Sequence, residues 1–245
     1  MVRFSLWMGS VMGVALGIAG PADRLPERQT VLVELFTSEG CSSCPPADVL
    51  LERLERSQPV SGAQIVVLSE HVDYWNRIGW ADPYSSPAFS ARQEQYTRHF
   101  RTQGPYTPQM VVDGRNEFVG SDARTAESAI RAATKHPKST IHIAEDGGSA
   151  IIDVSPLPAG TARKAAVFAA YAADSGTQDV LRGENKGRRL HHVAIVKDLK
   201  QIGIVDDRTE FKTRIPIDNA ARLIVFVQES GNGPVWGTAM HPATR

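Results

Sequence analysis

The only two cysteines of the chain, Cys41 and Cys44, stand in one C-x-x-C between an apolar run and an amphipathic one. Residues 30–36, TVLVELF, are apolar and rich in β-branched side chains, which reads as a buried strand. Behind the thiols, Ala47, Leu50, Leu51 and Leu54 recur at helical spacing, with Glu52, Arg53, Glu55 and Arg56 on the other face. Pro45 and Pro46 suit a first helical turn, where a missing N–H costs least. The thiols therefore fall where a strand ends and a helix starts. A helix N-terminus carries about half a positive charge and unpaired N–H groups, the setting in which a cysteine ionises near neutral pH.

The remaining elements can be read in the same way. Residues 65–68 form a second buried strand, with His71 and Asp73 just past its end and Trp75 and Trp80 in the loop that follows. AFSARQEQYTRHF puts Phe89, Tyr96 and Phe100 on one helical stripe. QMVVDGRNEFVG predicts a hairpin turning at Asp113-Gly114, and Ser121 or Asp122 can cap a helix whose Ala126, Ala129, Ile130 and Ala133 share a face. The order is strand, helix, strand, helix, hairpin, helix, which implies a parallel pair with right-handed crossovers and an antiparallel extension. From about Ser139 the pattern changes to short alternating strands with turns between them, which predicts an antiparallel β-sandwich or a sheet packed on the first domain. Within that half, LRGENKGRRLHH is charged and turn-like. It reads as a solvated hairpin loop or as a loop leaning over the thiols.

Charge excludes one class of function. Lys plus Arg equals Asp plus Glu at 27 each, so no basic surplus marks a nucleic-acid binder. The beginning of the chain points to export. Arg3 precedes an apolar stretch over residues 4–19, then small residues and the polar GPADRLPERQT. The stretch falls short of the ~20 apolar residues of a spanning helix, so it reads as a signal cut near residues 19–22, with an uncleaved membrane anchor as the alternative. Outside the cytoplasm a disulfide persists. A bond across so short a loop is a poor staple, because it removes little entropy from the unfolded chain.

The element order, the C-x-x-C after the first strand and Thr107-Pro108 at the start of the hairpin resemble the thioredoxin core. ELFTSEGCSSCPPAD, HVDYWNRIGWADPYSSPAFSARQ, YTPQMVVDGR and RGENKGRRL together resemble the domain-of-unknown-function 1223 family, exported bacterial proteins with a thioredoxin-like domain. The resemblance implies an α/β thioredoxin-like domain, a mixed sheet flanked by helices, over residues 23–138. A signal peptide at 1–22 precedes it, and a β-rich, sandwich-like domain at 139–245 follows. It implies a cis Thr107-Pro108 bond, with the backbone of Thr107 offered to an extended substrate. It also draws attention to Arg182, Glu184, Asn185 and Gly187.

The expected chemistry is thiol–disulfide exchange with protein thiols or disulfides in the periplasm or outside the cell. Cys41 is the exposed attacker and Cys44 resolves the mixed disulfide. Trp75 and Trp80 form a peptide-binding rim or simply pack the loop. His71 and Asp73 are auxiliary: His71 assists proton transfer or is a hydrogen-bonded loop anchor. Glu39 would weaken the acidity of Cys41, but little if solvated. No cofactor is called for. Two other functions compete: a copper or zinc module built on both thiolates and His71, and a non-catalytic binding scaffold.

Overall fold

The computed structural model describes residues 1–2 and 28–243. The export signal expected over residues 1–22 lies, but for its first two residues, outside the described range. β1 (Gln29–Thr37) and β2 (Ala63–His71) pair in parallel from Gln29–Ala63 to Thr37–His71, connected by α1 (Pro45–Ser57). α2 (Pro87–Phe100) follows, and then the hairpin of β3 (Gln109–Val112) and β4 (Asn116–Val119). β3 lies antiparallel to β1. The hairpin turns at Asp113 and Gly114, with φ of 49° and 61°, both left-handed as a tight two-residue turn requires. α3 (Ala123–Ala133) is capped by Asp122, whose carboxylate accepts from the Thr125 N–H at 3.0 Å. These elements follow the order read from the sequence.

From Val31 to Phe36 β1 is apolar but for Glu34, because both of its faces are covered. Val31, Val33 and Leu35 pack with Leu50, Leu51 and Leu54 of α1 and with Ala126 and Ile130 of α3. Leu32 packs with Phe89 of α2, and Phe36 with Tyr96. Glu34 is the exception on the α2 side. Arg92 Nε donates to its carboxylate at 2.7 Å, and Tyr96 Oη donates at 2.5 Å.

The second half is built of strands, as expected, and they are arranged in two layers. β5 (Ile141–Asp146), β6 (Ser149–Val154) and β9 (Phe211–Pro216) form a three-stranded sheet. β7 (Lys164–Asp179), β8 (Arg189–Asp206), β10 (Arg222–Gln228) and β11 (Val235–His241) extend the first sheet to eight strands, in the order β11-β10-β7-β8-β2-β1-β3-β4. Ile152 and Val154 of the small sheet pack on Val167, Ala169, Val225 and Val227 of the large one. Residue 138 thus marks a change in strand pairing, and the large sheet continues across it. β8 joins β2 in parallel at Ser69–Ile195, and Gln228 of β10 hydrogen-bonds Arg92 and Tyr96 of α2. Among the described residues no helix is long and apolar enough to cross a membrane.

β7 and β8 differ from the short strands the sequence predicts. They run 16 and 18 residues and pair along almost their whole length, with irregularities at Val167/Phe168 and Tyr171/Ala172. The polar SGTQD segment stays in the ladder opposite residues 189–193. At Gly176 an added Cβ would lie 2.6 Å from Tyr84 Oη and 2.7 Å from Ile195 Cδ1, so a larger residue would have to displace them. The hairpin tip, residues 180–188, is closed by Val180 N–H to Arg188 O (2.9 Å) and Gly187 N–H to Val180 O (2.8 Å).

Candidate functional site

Cys41 and Cys44 are joined as a disulfide at the entry to α1. Cys41 N–H donates to Ser38 O at 3.1 Å, Cys44 N–H to Cys41 O at 3.2 Å, and Ser43 Oγ lies 3.3 Å from Cys41 Sγ. Two expectations fail here. The first is an exposed Cys41: both cysteines are 0% exposed. The second is a ring of free N–H groups at the helix start. Pro45 and Pro46 have none, and the Ala47 and Asp48 N–H groups donate to Cys44 O at 2.8 and 3.2 Å.

The β7–β8 tip is hydrogen-bonded to the backbone of the cysteine loop. Asn185, itself 1% exposed, donates from Nδ2 to both Glu39 O and Cys41 O at 2.9 Å. Arg188 donates to Asn185 Oδ1 at 2.9 Å, which fixes the orientation of the carboxamide. Ser42 N–H donates to Glu184 Oε2 at 3.1 Å, and hydrogen bonding from Ser42 holds the Glu184 carboxyl below the usual carboxylate range. Of the two sequence readings of this segment, the loop over the thiols describes its position.

Thr107-Pro108 is cis and lies beside α1. Leu35, Ala47 and Pro108 all crowd Gly120, where an added Cβ would meet them at 2.7, 3.2 and 3.2 Å. Trp75 bridges to the cysteine loop. Its Nε1 donates to Thr107 Oγ1 at 2.8 Å, and its Cβ stands 3.0 Å from where a Cβ on Gly40 would be. Trp80 donates from Nε1 to Glu39 Oε2 at 2.8 Å. Both tryptophans therefore belong to this site.

Beneath them lies a buried ionic cluster. Glu39, which matters little if solvated, is 0% exposed. His71 Nδ1 meets Asp82 Oδ2 at 2.7 Å, and Asp82 also accepts from the N–H groups of Glu39 and Tyr84 at 2.9 Å each. Burial raises the Asp82 pKa, but the bond and charge of His71, together with those backbone amides, outweigh it and leave the carboxyl below its ordinary value. His192 of β8 stacks edge-on to His71 with ring centroids 4.6 Å apart. Its Nε2 is 3.4 Å from Glu39 Oε1 and its Nδ1 is 3.6 Å from Asp48 Oδ1. Burial works against the imidazolium, but Asp48 and Glu39 overcome it and push the pKa up to about 10. Thr37 Oγ1 donates to the same Asp48 oxygen at 2.9 Å. Asp73 stands apart: its carboxylate accepts from Ser90 Oγ at 2.5 Å and ties the turn after β2 to α2.

Sequence reasoning does not find Asp48, Asp82 and His192. His192 comes from the half to which it assigns no chemistry, and the alternation in LHHVAIV, which turns the imidazole inward, is the one signal that could have found it. Among the described residues no group of three or more His, Cys, Asp or Glu side chains is spaced to hold a metal ion.

The family model described as "Protein of unknown function (DUF1223)" matches residues 32–228. The chain belongs to the DUF1223 family. The DUF1223 match spans β1 to β10, and with them both cysteines, Thr107-Pro108, the buried cluster and the hairpin tip. The crystal structure of protein AGR_C_4864 from Agrobacterium tumefaciens is similar at 27% identity and a TM-score of 0.77, covering 89% of this chain and 96% of that one. HBP35 of Porphyromonas gingivalis shares the fold at 11% identity and a TM-score of 0.59, over 88% of this chain and 76% of that one. No curated protein matches the chain significantly.

Proposed function

We propose that this DUF1223 protein is an exported, thioredoxin-like protein that exchanges thiols and disulfides with protein substrates through Cys41 and Cys44. The observation that carries the reading is the disulfide at the β1–α1 junction, with the cis Thr107-Pro108 bond linked to the same loop through Trp75. The strand order β2-β1-β3-β4, with β1 and β2 parallel and β3 and β4 antiparallel to their neighbours, supports the thioredoxin-like part. Arg3 and the apolar residues 4–19 support export to the periplasm or beyond.

In the oxidising direction, a substrate thiolate attacks the Cys41 sulfur, the Cys41–Cys44 bond breaks, and Cys44 leaves as a thiolate. A second substrate thiolate then displaces Cys41, so the substrate gains a disulfide and the pair gains two electrons and two protons. In the reducing direction the Cys41 thiolate attacks the substrate disulfide, and Cys44 resolves the mixed disulfide. A Cys44→Ala variant should trap mixed disulfides through Cys41, and the intact pair should turn over a test disulfide. Absence of both results would discard the proposal.

A second reading is a binding scaffold in which the disulfide is inert. The complete burial of both sulfurs favours it. It predicts that replacing both cysteines leaves the cellular phenotype unchanged.

A further inference from the structure

We infer that Asn185 is a positioning and specificity-determining residue for the Cys41–Cys44 pair: it holds the β7–β8 tip over the disulfide, so that reaction requires a partner able to displace it. This rests on the exchange chemistry proposed above.

Three observations support it. The disulfide is buried, although it lies at the end of β1, where the chain leaves the sheet for α1. One carboxamide serves the carbonyls on both sides of Gly40, those of Glu39 and Cys41, and Arg188 holds its oxygen so that the two N–H groups face them. The tip also fits closely against the tryptophan loop. Gly183, at φ +73°, would place a Cβ 3.2 Å from Trp80 Cβ, and Gly79 would place one 3.4 Å from Gly183 Cα. The bond between Glu184 and Ser42 is made at an exposed position, where water can replace it. Asn185 is buried, so its two bonds are the ones whose loss costs most.

When the tip lifts, two buried carbonyls lose their donors. An extended polypeptide carries backbone N–H groups that can replace them, and a small dithiol does not. The substrate class is therefore an extended protein segment, and the pair is shielded from small thiols in its surroundings.

The test is the rate at which dithiothreitol reduces the oxidised full-length protein under native conditions. One dithiothreitol thiolate attacks a sulfur of the pair and the Cys41–Cys44 bond breaks. The second thiol then closes the dithiothreitol ring, leaving two protein thiols and oxidised dithiothreitol. Asn185→Ala should raise this rate roughly tenfold, the worth of donors lost from two buried carbonyls. Asn185→Asp keeps the shape but cannot donate, and should accelerate reduction at least as much. Glu184→Gln keeps an acceptor for Ser42 N–H and should leave the rate unchanged. The urea midpoint of the oxidised protein separates the two roles, since a merely structural residue would speed reduction only in proportion to lost global stability. Unchanged rates in Asn185→Ala and Asn185→Asp, or acceleration that tracks the urea midpoint, would overturn the inference. If neither variant folds, Arg188→Ala takes their place: it frees the carboxamide from a partly exposed position and should also speed reduction, and an unchanged rate there would overturn the inference as well. The measurement involves no protein substrate, so a failure to trap partners would defeat the proposed function and leave this result standing.

Discussion

Replacing His192 by Gln tests the buried cluster directly. The imidazole lies 3.4 Å from Glu39 and 3.6 Å from Asp48, and these two buried carboxylates hold its proton. The pKa in the folded protein, about 10, lies above the ordinary 6.5. A group raised in this way stabilises the fold fully below its unfolded pKa, and the contribution is lost as pH rises through the folded one. At ~1.36 kcal/mol per pKa unit, the oxidised protein should lose up to about 5 kcal/mol between those two pH values. That is a large part of the roughly 5–15 kcal/mol typical of a domain. Urea midpoints measured from about pH 6 to about pH 10 would show a falling profile for the wild type. His192→Gln should start lower, because two buried carboxylates lose their cation, and its profile should be flatter across the window. Lysine and tyrosine titrations near the upper end are common to both proteins and cancel in the difference. Parallel profiles would mean that His192 carries no proton in the folded state, and the cluster would have to be read as neutral.

Other substitutions probe the frame around the site. Arg92→Met strands Glu34 in the interior beside Glu70, whose pKa burial raises well above the usual range; a loss of about 3–5 kcal/mol in urea unfolding is expected. Gly114→Ala should cost at least about 2 kcal/mol, because φ is +61° and the new Cβ would sit 2.2 Å from Gly233 O; thermal unfolding measures it. Asp122→Ala removes the cap of α3 and should cost about 1 kcal/mol by the same assay, with the proposed exchange activity unaffected.

The first half is legible in the sequence because its signals are local. TVLVELF, the helical spacing of Ala47 through Leu54 and the Asp113-Gly114 turn each specify their own element, and the C-x-x-C marks its position unaided. The parts that are not legible depend on contacts distant in sequence. Asp82 lies 11 positions beyond His71, across a loop with a single helical turn at Tyr74–Arg77, and His192 enters the site from the other half of the chain. Whether Cys41 faces water depends on where a hairpin tip more than a hundred residues downstream comes down, and no periodicity encodes that. β7 and β8 read as short strands, yet their ladder runs on through Gly176, where Tyr84 and Ile195 occupy the space of the missing side chain.

Ala194 of β8 has a left-handed φ of 49°, one residue before the rung with β2 at Ile195. Outward of that residue the strand's ladder is with β7 alone, although Val193 still packs in the core over α1. His192 is the nail driven through that stretch, sunk among carboxylates of β1's end and α1. Whatever swings must therefore do so beyond the nail, so the travel is short and the leverage sits in nine residues.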